Sequence, residues 1–195
     1  MASTVYLVRH GHAASVGDWI AGWTPGIHLD ELGRAQARAA ARQLSEVRLK
    51  AIYTSPLERC YETAQIIADV HNAPVRIDHR FGEFDWGDWT GRPLDALRND
   101  PQFEAFNRVR SRAAAPGGET AVDAQHRMVC GIAEITRRHV GQPLAIVSHA
   151  DMIRYALAYY REVCLDGVLE IDVEPGEVFE VCIESGTSAL RQSGI

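Results

Sequence analysis

The run Val5-Tyr-Leu-Val8 is apolar on both faces, as in a central strand covered by helices on either side, and it stops abruptly at Arg9-His-Gly11. Leu144-Ala-Ile-Val-Ser148 repeats the pattern and ends in His149, while Ala51-Ile-Tyr-Thr-Ser55 reads as a strand that breaks into Pro56. Helical spacing follows each run. Asp30 predicts a cap for a helix with Leu32, Ala35, Ala39, Gln43 and Leu44 on one stripe. Ser55-Pro-Leu-Glu58 has the form of a capping box with Pro at the first helical position, for a helix running to about His71. Glu119 to about His139 predicts a long helix capped by Thr120, with Val122, Val129, Ile132, Ala133 and Ile135 facing inward. Met152, Ile153, Ala156 and Leu157 mark another after His149. The predicted class is α/β, with central strands buried between helices.

The remaining stretches are less regular. Ala13 to Leu29 is broken by Gly17, Gly22, Pro25 and Gly26 and reads as a packed loop carrying Trp19 and Trp23. Pro74 to Asp78 predicts a short strand, and Arg80 to Gly91 a glycine-rich acidic and aromatic loop. Arg92 to about Arg112 predicts an amphipathic helical stretch interrupted at Pro101, with Leu94, Leu97, Phe103, Phe106 and Val109 as its apolar positions. Residues 84–118 together are expected to form a helical lid inserted into a single domain spanning 1–195. Near the end, Leu169 to Val173 and Val178 to Ile183 predict two strands around Pro175-Gly176, followed by a polar tail.

Charge and composition remove several function classes. A net charge of −6 argues against general nucleic-acid binding, which needs a basic surface. No apolar run is long enough to span a membrane, and the first strand starts almost at Met1, so a cytoplasmic protein is expected. Cys60, Cys130, Cys164 and Cys182 show no C-x-x-C spacing and are expected to be small buried hydrophobes in a reducing compartment. His12 and His28 lie near the first motif, but no H-E-x-x-H or comparable spacing appears, so neither a metal nor a cofactor is expected. Oligomeric state is open, with a homodimer possible.

The chemistry gathers at strand ends, where open α/β sheets bind ligands. Arg9 with His10, Arg59 and His149 each follow a strand at such a junction. Two guanidinium forks can grip phosphoryl oxygens and spread transition-state charge, and a neutral imidazole can attack phosphorus without a metal. The leaving alkoxide needs a proton. A glutamic acid at its ordinary pKa is protonated in about one molecule in 500 at neutral pH, and raised to about 6 in about one in ten. Glu83 in the aromatic loop is the candidate, with Asp85 and Asp88 as local rivals.

Arg9-His-Gly11, Ser55-Pro-Leu-Glu-Arg59, the Phe81-Gly-Glu83 to Gly91 loop, Gly118-Glu-Thr120 and Val147-Ser-His149 closely resemble the histidine phosphatase superfamily, in its phosphoglycerate-mutase-like branch, branch 1. The order and spacing match from about Val5 to Ile183. The resemblance implies a three-layer α/β/α sandwich with a mostly parallel central sheet, a phosphohistidine intermediate at His10, a phosphate pocket of Arg9, Arg59 and His149, and Glu83 as proton donor; the choice of His10 over His149 as nucleophile rests on it. Two departures stand out. The branch commonly carries a phosphate-binding Asn shortly after Arg-His-Gly-Glu-Thr, where this chain reads His12-Ala-Ala-Ser15, so Ser15 is the candidate substitute. The usual Ser-His-Gly-Gly is Ser148-His-Ala-Asp151, which puts Ala150 among the candidate phosphate contacts beside a more acidic entrance.

Mutases of the branch are longer, so the expected activity is that of a metal-independent phosphoric monoester hydrolase of the histidine acid phosphatase type, acting on a small phosphorylated metabolite. Phosphoglycerate-mutase-type transfer and a non-catalytic phosphate-binding module are the alternatives. Trp19, Trp23, Phe84, Trp86, Trp89, Phe103 and Phe106 are candidates for an apolar substrate wall, and Arg92, Arg98 or Arg108 for a second anionic group.

Overall fold

The structure, a computed structural model, describes residues 2–184. Five strands form one sheet in the order β3-β2-β4-β1-β5, where β1 is Ala2–Arg9, β2 Ala51–Thr54, β3 Val75–Ile77, β4 Leu144–Ser148 and β5 Val178–Glu184. All neighbouring pairs are parallel except β1 with β5. The register sets Arg9 beside Ser148 and Thr54 beside Val147, so β1, β2 and β4 end along one edge.

Strand residues alternate between two cores, which explains why these strands are apolar throughout. Val5, Leu7, Leu144, Ile146, Ala51 and Tyr53 face one core, built with α5 (Ala121–Arg138) and α6 (Ala150–Tyr160). Val8, Ala145, Val147 and Ile52 face the other, built with α1 (Glu31–Gln43) and α2 (Glu58–His71). The result is the α/β/α sandwich expected. Among the described residues no helix is long and apolar enough to cross a membrane.

Helix faces were harder to read where alanine blurs the period. Asp30 caps α1 by accepting from the Gly33 amide, but Leu32, Ala35, Ala39 and Gln43 point outward. Of the expected stripe only Leu44 is buried; Gly33, Ala37, Ala40 and Ala41 complete the inner face. A Cβ on Gly33 would stand 2.0 Å from the His12 carbonyl oxygen, and one on Gly11 2.3 Å from the Gly33 carbonyl oxygen. This close backbone approach brings the start of α1 against the turn after His10. On α5, Thr120 caps as expected, accepting from the Asp123 amide. Ala121, Ala124, Met128, Gly131, Ile132 and Ile135 face inward, whereas Val122 and Ala133 are exposed.

Five other expectations change. The Ser55 hydroxyl does not cap α2, which starts at Glu58; it accepts from the Leu57 amide at 3.3 Å and pairs with His149 at 2.8 Å. Pro101 opens a helix instead of only interrupting one, since α3 covers Leu94–Arg98 and α4 Pro101–Arg108 with Pro101 at its first position. Val109 lies outside α4 and is exposed. Leu169 to Val173 is no strand: Leu165–Glu170 is a 3-10 helix, and only β5 pairs with the sheet. Cys60 alone is fully buried, while Cys130 and Cys164 are exposed. The polar tail expected after Ile183 lies, beyond Glu184, outside the described residues.

Residues 84–118 pack as a continuation of the first core. Phe84, Trp86, Trp89 and Phe106 form a cluster of tilted and edge-to-face rings with centroids 4.8–6.4 Å apart, joined by Leu97. The loop 13–29 is tied to this segment by a short antiparallel bridge between Trp19 and Pro93, with Ile20 and Gly91 to Arg92 exchanging backbone hydrogen bonds.

Candidate active site

A cavity of about 610 Å³ opens over the ends of β1, β2 and β4. Arg9, His10, Ser15, Arg59, Glu83 and Ala150 line it, and His149, fully buried, lies against Arg59 and Glu83. Positions far apart along the chain therefore meet at one sheet edge, as the strand-end junctions predict. The two imidazoles stand edge to face, with centroids 5.3 Å apart.

Each histidine's tautomer follows from its neighbours. His10 Nδ1 lies 2.7 Å from the Gly11 carbonyl oxygen, which can only accept, so Nδ1 carries the hydrogen and Nε2 keeps its lone pair. His149 Nδ1 faces Arg59 Nη2 at 3.4 Å, and a guanidinium can only donate. The hydrogen of His149 is therefore on Nε2, which donates to Ser55 Oγ at 2.8 Å. The two rings have opposite protonation patterns, and only His10 presents a basic nitrogen that is not already engaged.

Electrostatics hold both rings uncharged. Burial, then Arg59 and Arg9, lower the His10 pKa to about 3. Burial and Arg59 also hold His149 well below the usual imidazole range. Glu83 moves the other way: burial raises its carboxyl to about 7 against the opposing pull of Arg59, with Asp151 adding to the rise. Glu83 Oε2 approaches His149 Nδ1 at 3.4 Å, and with His149 neutral this contact is not an ion pair. Cys60 Sγ lies 3.4 Å from His149 Nε2, but burial pushes the thiol up, so it packs as a protonated neighbour.

The arginines are anchored from behind. Arg9 Nη1 donates to the Val173 carbonyl at 2.7 Å and Arg59 Nη2 to the Gly22 carbonyl at 2.9 Å. Among the described residues, Arg9 Nε and Arg59 Nη1 are buried donors without a partner. Uncompensated buried donors on two arginines beside one cavity are what an oxyanion would satisfy.

Some sequence expectations do not reach the cavity. Asp85 and Asp88 are exposed, and Asp85 is spent on the Gly87 amide. Among the aromatics, Trp19, Trp86 and Phe103 line the cavity, whereas Trp23, Phe84, Trp89 and Phe106 do not. Arg98 lines it, Arg92 instead pairs with Asp100 at 2.9 Å, and Arg108 does not line it. His12 is paired with Asp30 at 2.5 Å and His28 with Glu62. No group of three or more His, Cys, Asp or Glu among the described residues is arranged to hold a metal ion.

Three charged residues that sequence reasoning missed line the cavity: Arg110, Arg154 and Asp151, the last noted only as an acidic departure. Arg110, from the end of the 84–118 segment, is buried against the Trp86 and Phe106 rings and donates to Asp151 Oδ1 at 2.7 Å and to the Tyr155 hydroxyl at 3.0 Å. Arg154 Nη1 lies 3.6 Å from the same oxygen. Burial works to raise the Asp151 carboxyl, but Arg110 and Arg154 outweigh it and hold the pKa below the ordinary range. The acidic entrance is thus charge-balanced. The i,i+3 spacing of Asp151 and Arg154 was the one available signal.

The model of the histidine phosphatase superfamily (branch 1) matches residues 5–195. Phosphoserine phosphatase 1 of Hydrogenobacter thermophilus is 32% identical over 128 residues, which span 65% of this chain and 61% of that enzyme. The 2,3-bisphosphoglycerate-dependent phosphoglycerate mutase of Thermoplasma acidophilum is 29% identical over 198 residues, with 95% of each chain covered. Among solved structures, Bacillus stearothermophilus YhfR superposes with a TM-score of 0.87 at 30% identity, over 97% of this chain and 94% of its own. The mycobacterial glucosyl-3-phosphoglycerate phosphatase Rv2419c gives 0.83 at 26% identity, over 93% and 91%. With its sheet order, its strand-end histidines and arginines and a family match across nearly its whole length, this chain belongs to the histidine phosphatase superfamily, branch 1.

Proposed function

We propose that the chain is a phosphatase that hydrolyses a small phosphomonoester through a phosphohistidine at His10, without a metal and with activity highest at acidic to neutral pH. The observation that carries this reading is the tautomer of His10, whose Nδ1 hydrogen is committed to Gly11 while Nε2 keeps its lone pair. In the first step Nε2 bonds to phosphorus, the phosphorus–oxygen bond to the leaving group breaks, and Glu83 transfers its proton to the departing oxygen. Arg9 and Arg59 take up charge on the phosphoryl oxygens. In the second step water attacks phosphorus and gives its proton to the Glu83 carboxylate, and the phosphorus–nitrogen electron pair returns to Nε2. Both groups then stand as they began. The Gly11 carbonyl supports the Nδ1 hydrogen of the cationic phosphoimidazole in between.

The phosphatases among the relatives act, by their names, on phosphoserine and glucosyl-3-phosphoglycerate, which supports hydrolysis of a small phosphorylated metabolite. The test is a panel of phosphorylated sugars, glycerates, amino acids and nucleotides, assayed for phosphate release with and without chelator, beside His10→Ala. The expected result is chelator-insensitive release from at least one compound, abolished in His10→Ala. The full-length match to a mutase gives the competing outcome: isomer formation without phosphate release, stimulated by a bisphosphorylated compound. Tight phosphate binding with no turnover would mark a non-catalytic module.

A further inference from the structure

Arg127, on α5, is not among the residues lining the cavity, yet all three of its guanidinium nitrogens donate to the segment that carries Glu83 or to one carboxylate, with Met152 Sδ also 3.3 Å from Nη2. Nη1 donates to the carbonyls of Arg80 and Gly82, each at 2.8 Å. Nη2 donates to the Glu83 carbonyl at 2.8 Å and to Glu119 Oε1 at 2.6 Å, and Nε to Glu119 Oε2 at 3.0 Å. Glu119 continues the grip. Its Oε1 also accepts from the Asp85 amide at 2.8 Å, and its own amide donates to the Asp85 carbonyl at 3.0 Å. Trp23 Nε1 adds a second donor to the Glu83 carbonyl at 2.7 Å.

Residues 82–86 have no helix or strand to fix their backbone. Most of the hydrogen bonds on their backbone come from this set, on both flanks of Glu83. The bidentate carboxylate of Glu119 balances the Arg127 charge, so the clamp need not draw Glu83 into its ionised form. Lysine could not do the same, because three donors on one nitrogen cannot reach three carbonyls and a carboxylate in a plane.

We infer that Arg127, braced by Glu119, is a positioning residue that sets where the Glu83 carboxyl meets the leaving-group oxygen. The inference rests on Glu83 being the proton donor. A misplaced acid harms a reaction in proportion to its need for a proton: an alkyl phosphate, with a strongly basic leaving oxygen, suffers more than 4-nitrophenyl phosphate, whose leaving group departs as an anion. A role limited to folding would lower both rates alike.

The experiment measures kcat/KM of wild type, Arg127→Met, Arg127→Lys, Glu119→Gln and Glu83→Gln on 4-nitrophenyl phosphate, phenyl phosphate and the best alkyl phosphate of the panel. Arg127→Met is expected to lose about 100-fold on the alkyl ester, the scale of a small misplacement, and under about fivefold on the nitrophenyl ester. Arg127→Lys and Glu119→Gln should show the same gradient at smaller amplitude, and they carry the test if Arg127→Met does not fold. Equal losses on all three esters, or none, in these variants while Glu83→Gln shows the gradient would overturn the inference alone. A flat loss in Glu83→Gln would overturn the proton-donor reading and the inference with it.

Discussion

Replacing Glu83 by Gln should make the protein relatively more stable as pH rises, because the site pays for its acid in folding free energy. The Glu83 carboxyl has a pKa of about 7 in the folded protein, raised by burial, against an ordinary 4.5. A group whose pKa is raised on folding contributes stability that is fully present below its unfolded pKa and is lost as pH rises through the folded one. The window therefore runs from about 4.5 to about 7, and at 1.36 kcal/mol per pKa unit the loss is about 3 kcal/mol. Gln cannot ionise, so its pH-independent cost or gain cancels when the stability difference between the two proteins is compared at two pH values. Urea unfolding followed by tryptophan fluorescence, in phosphate-free buffer at about pH 5 and about pH 9, reads that difference, part of the loss being already complete at the lower value. The difference should shift in favour of Glu83→Gln by about 2–3 kcal/mol between them. A shift below about 0.5 kcal/mol, or one of opposite sign, would refute the claim that the folded protein holds this carboxyl protonated.

The same titration should govern catalysis. With the substrate's own second ionisation near 6 corrected for, kcat/KM should be flat below about 7 and fall about tenfold per pH unit above it, with the acid limb pushed towards about 3 by the neutral His10; a rise above neutrality would contradict it. Arg110→Met should destabilise by about 3 kcal/mol, since it removes the nearest cation from the partly buried Asp151, and Asp151→Asn in the same protein should recover part of that loss in urea unfolding. Gly33→Ala drives a Cβ into the His12 carbonyl, so it should cost about 1–3 kcal/mol in the same assay and lower kcat by displacing the turn after His10.

The sheet was legible because β1, β2 and β4 are buried on both faces and leave an unbroken apolar run in the sequence, and because chemistry follows their ends. The helix faces of α1 were not, since five alanines offer the same side chain to core and solvent and the deciding contact is the backbone approach of Gly33 to His12. Ser55 looked like a cap because its spacing to Glu58 is right; the hydroxyl is instead drawn to His149, a residue 94 positions away. Leu169 to Val173 alternates like a strand, but it forms a 3-10 turn and a connection whose Ile171 and Val173 carbonyls hold Arg154 and Arg9. The same limit hid Arg110 and Arg127. Each earns its place through partners brought near only by the fold, and nothing in its own neighbourhood along the chain distinguishes it from a solvated helix arginine.

The transient bond between phosphorus and the His10 nitrogen is what the account most depends on. Mixing the enzyme with a radiolabelled phosphomonoester, quenching within one turnover in alkaline denaturant and mapping the label should find it on the peptide containing His10, stable to alkali and labile to acid, and absent from His10→Ala. Label on His149 or on another residue, or turnover that survives in His10→Ala, would contradict the account.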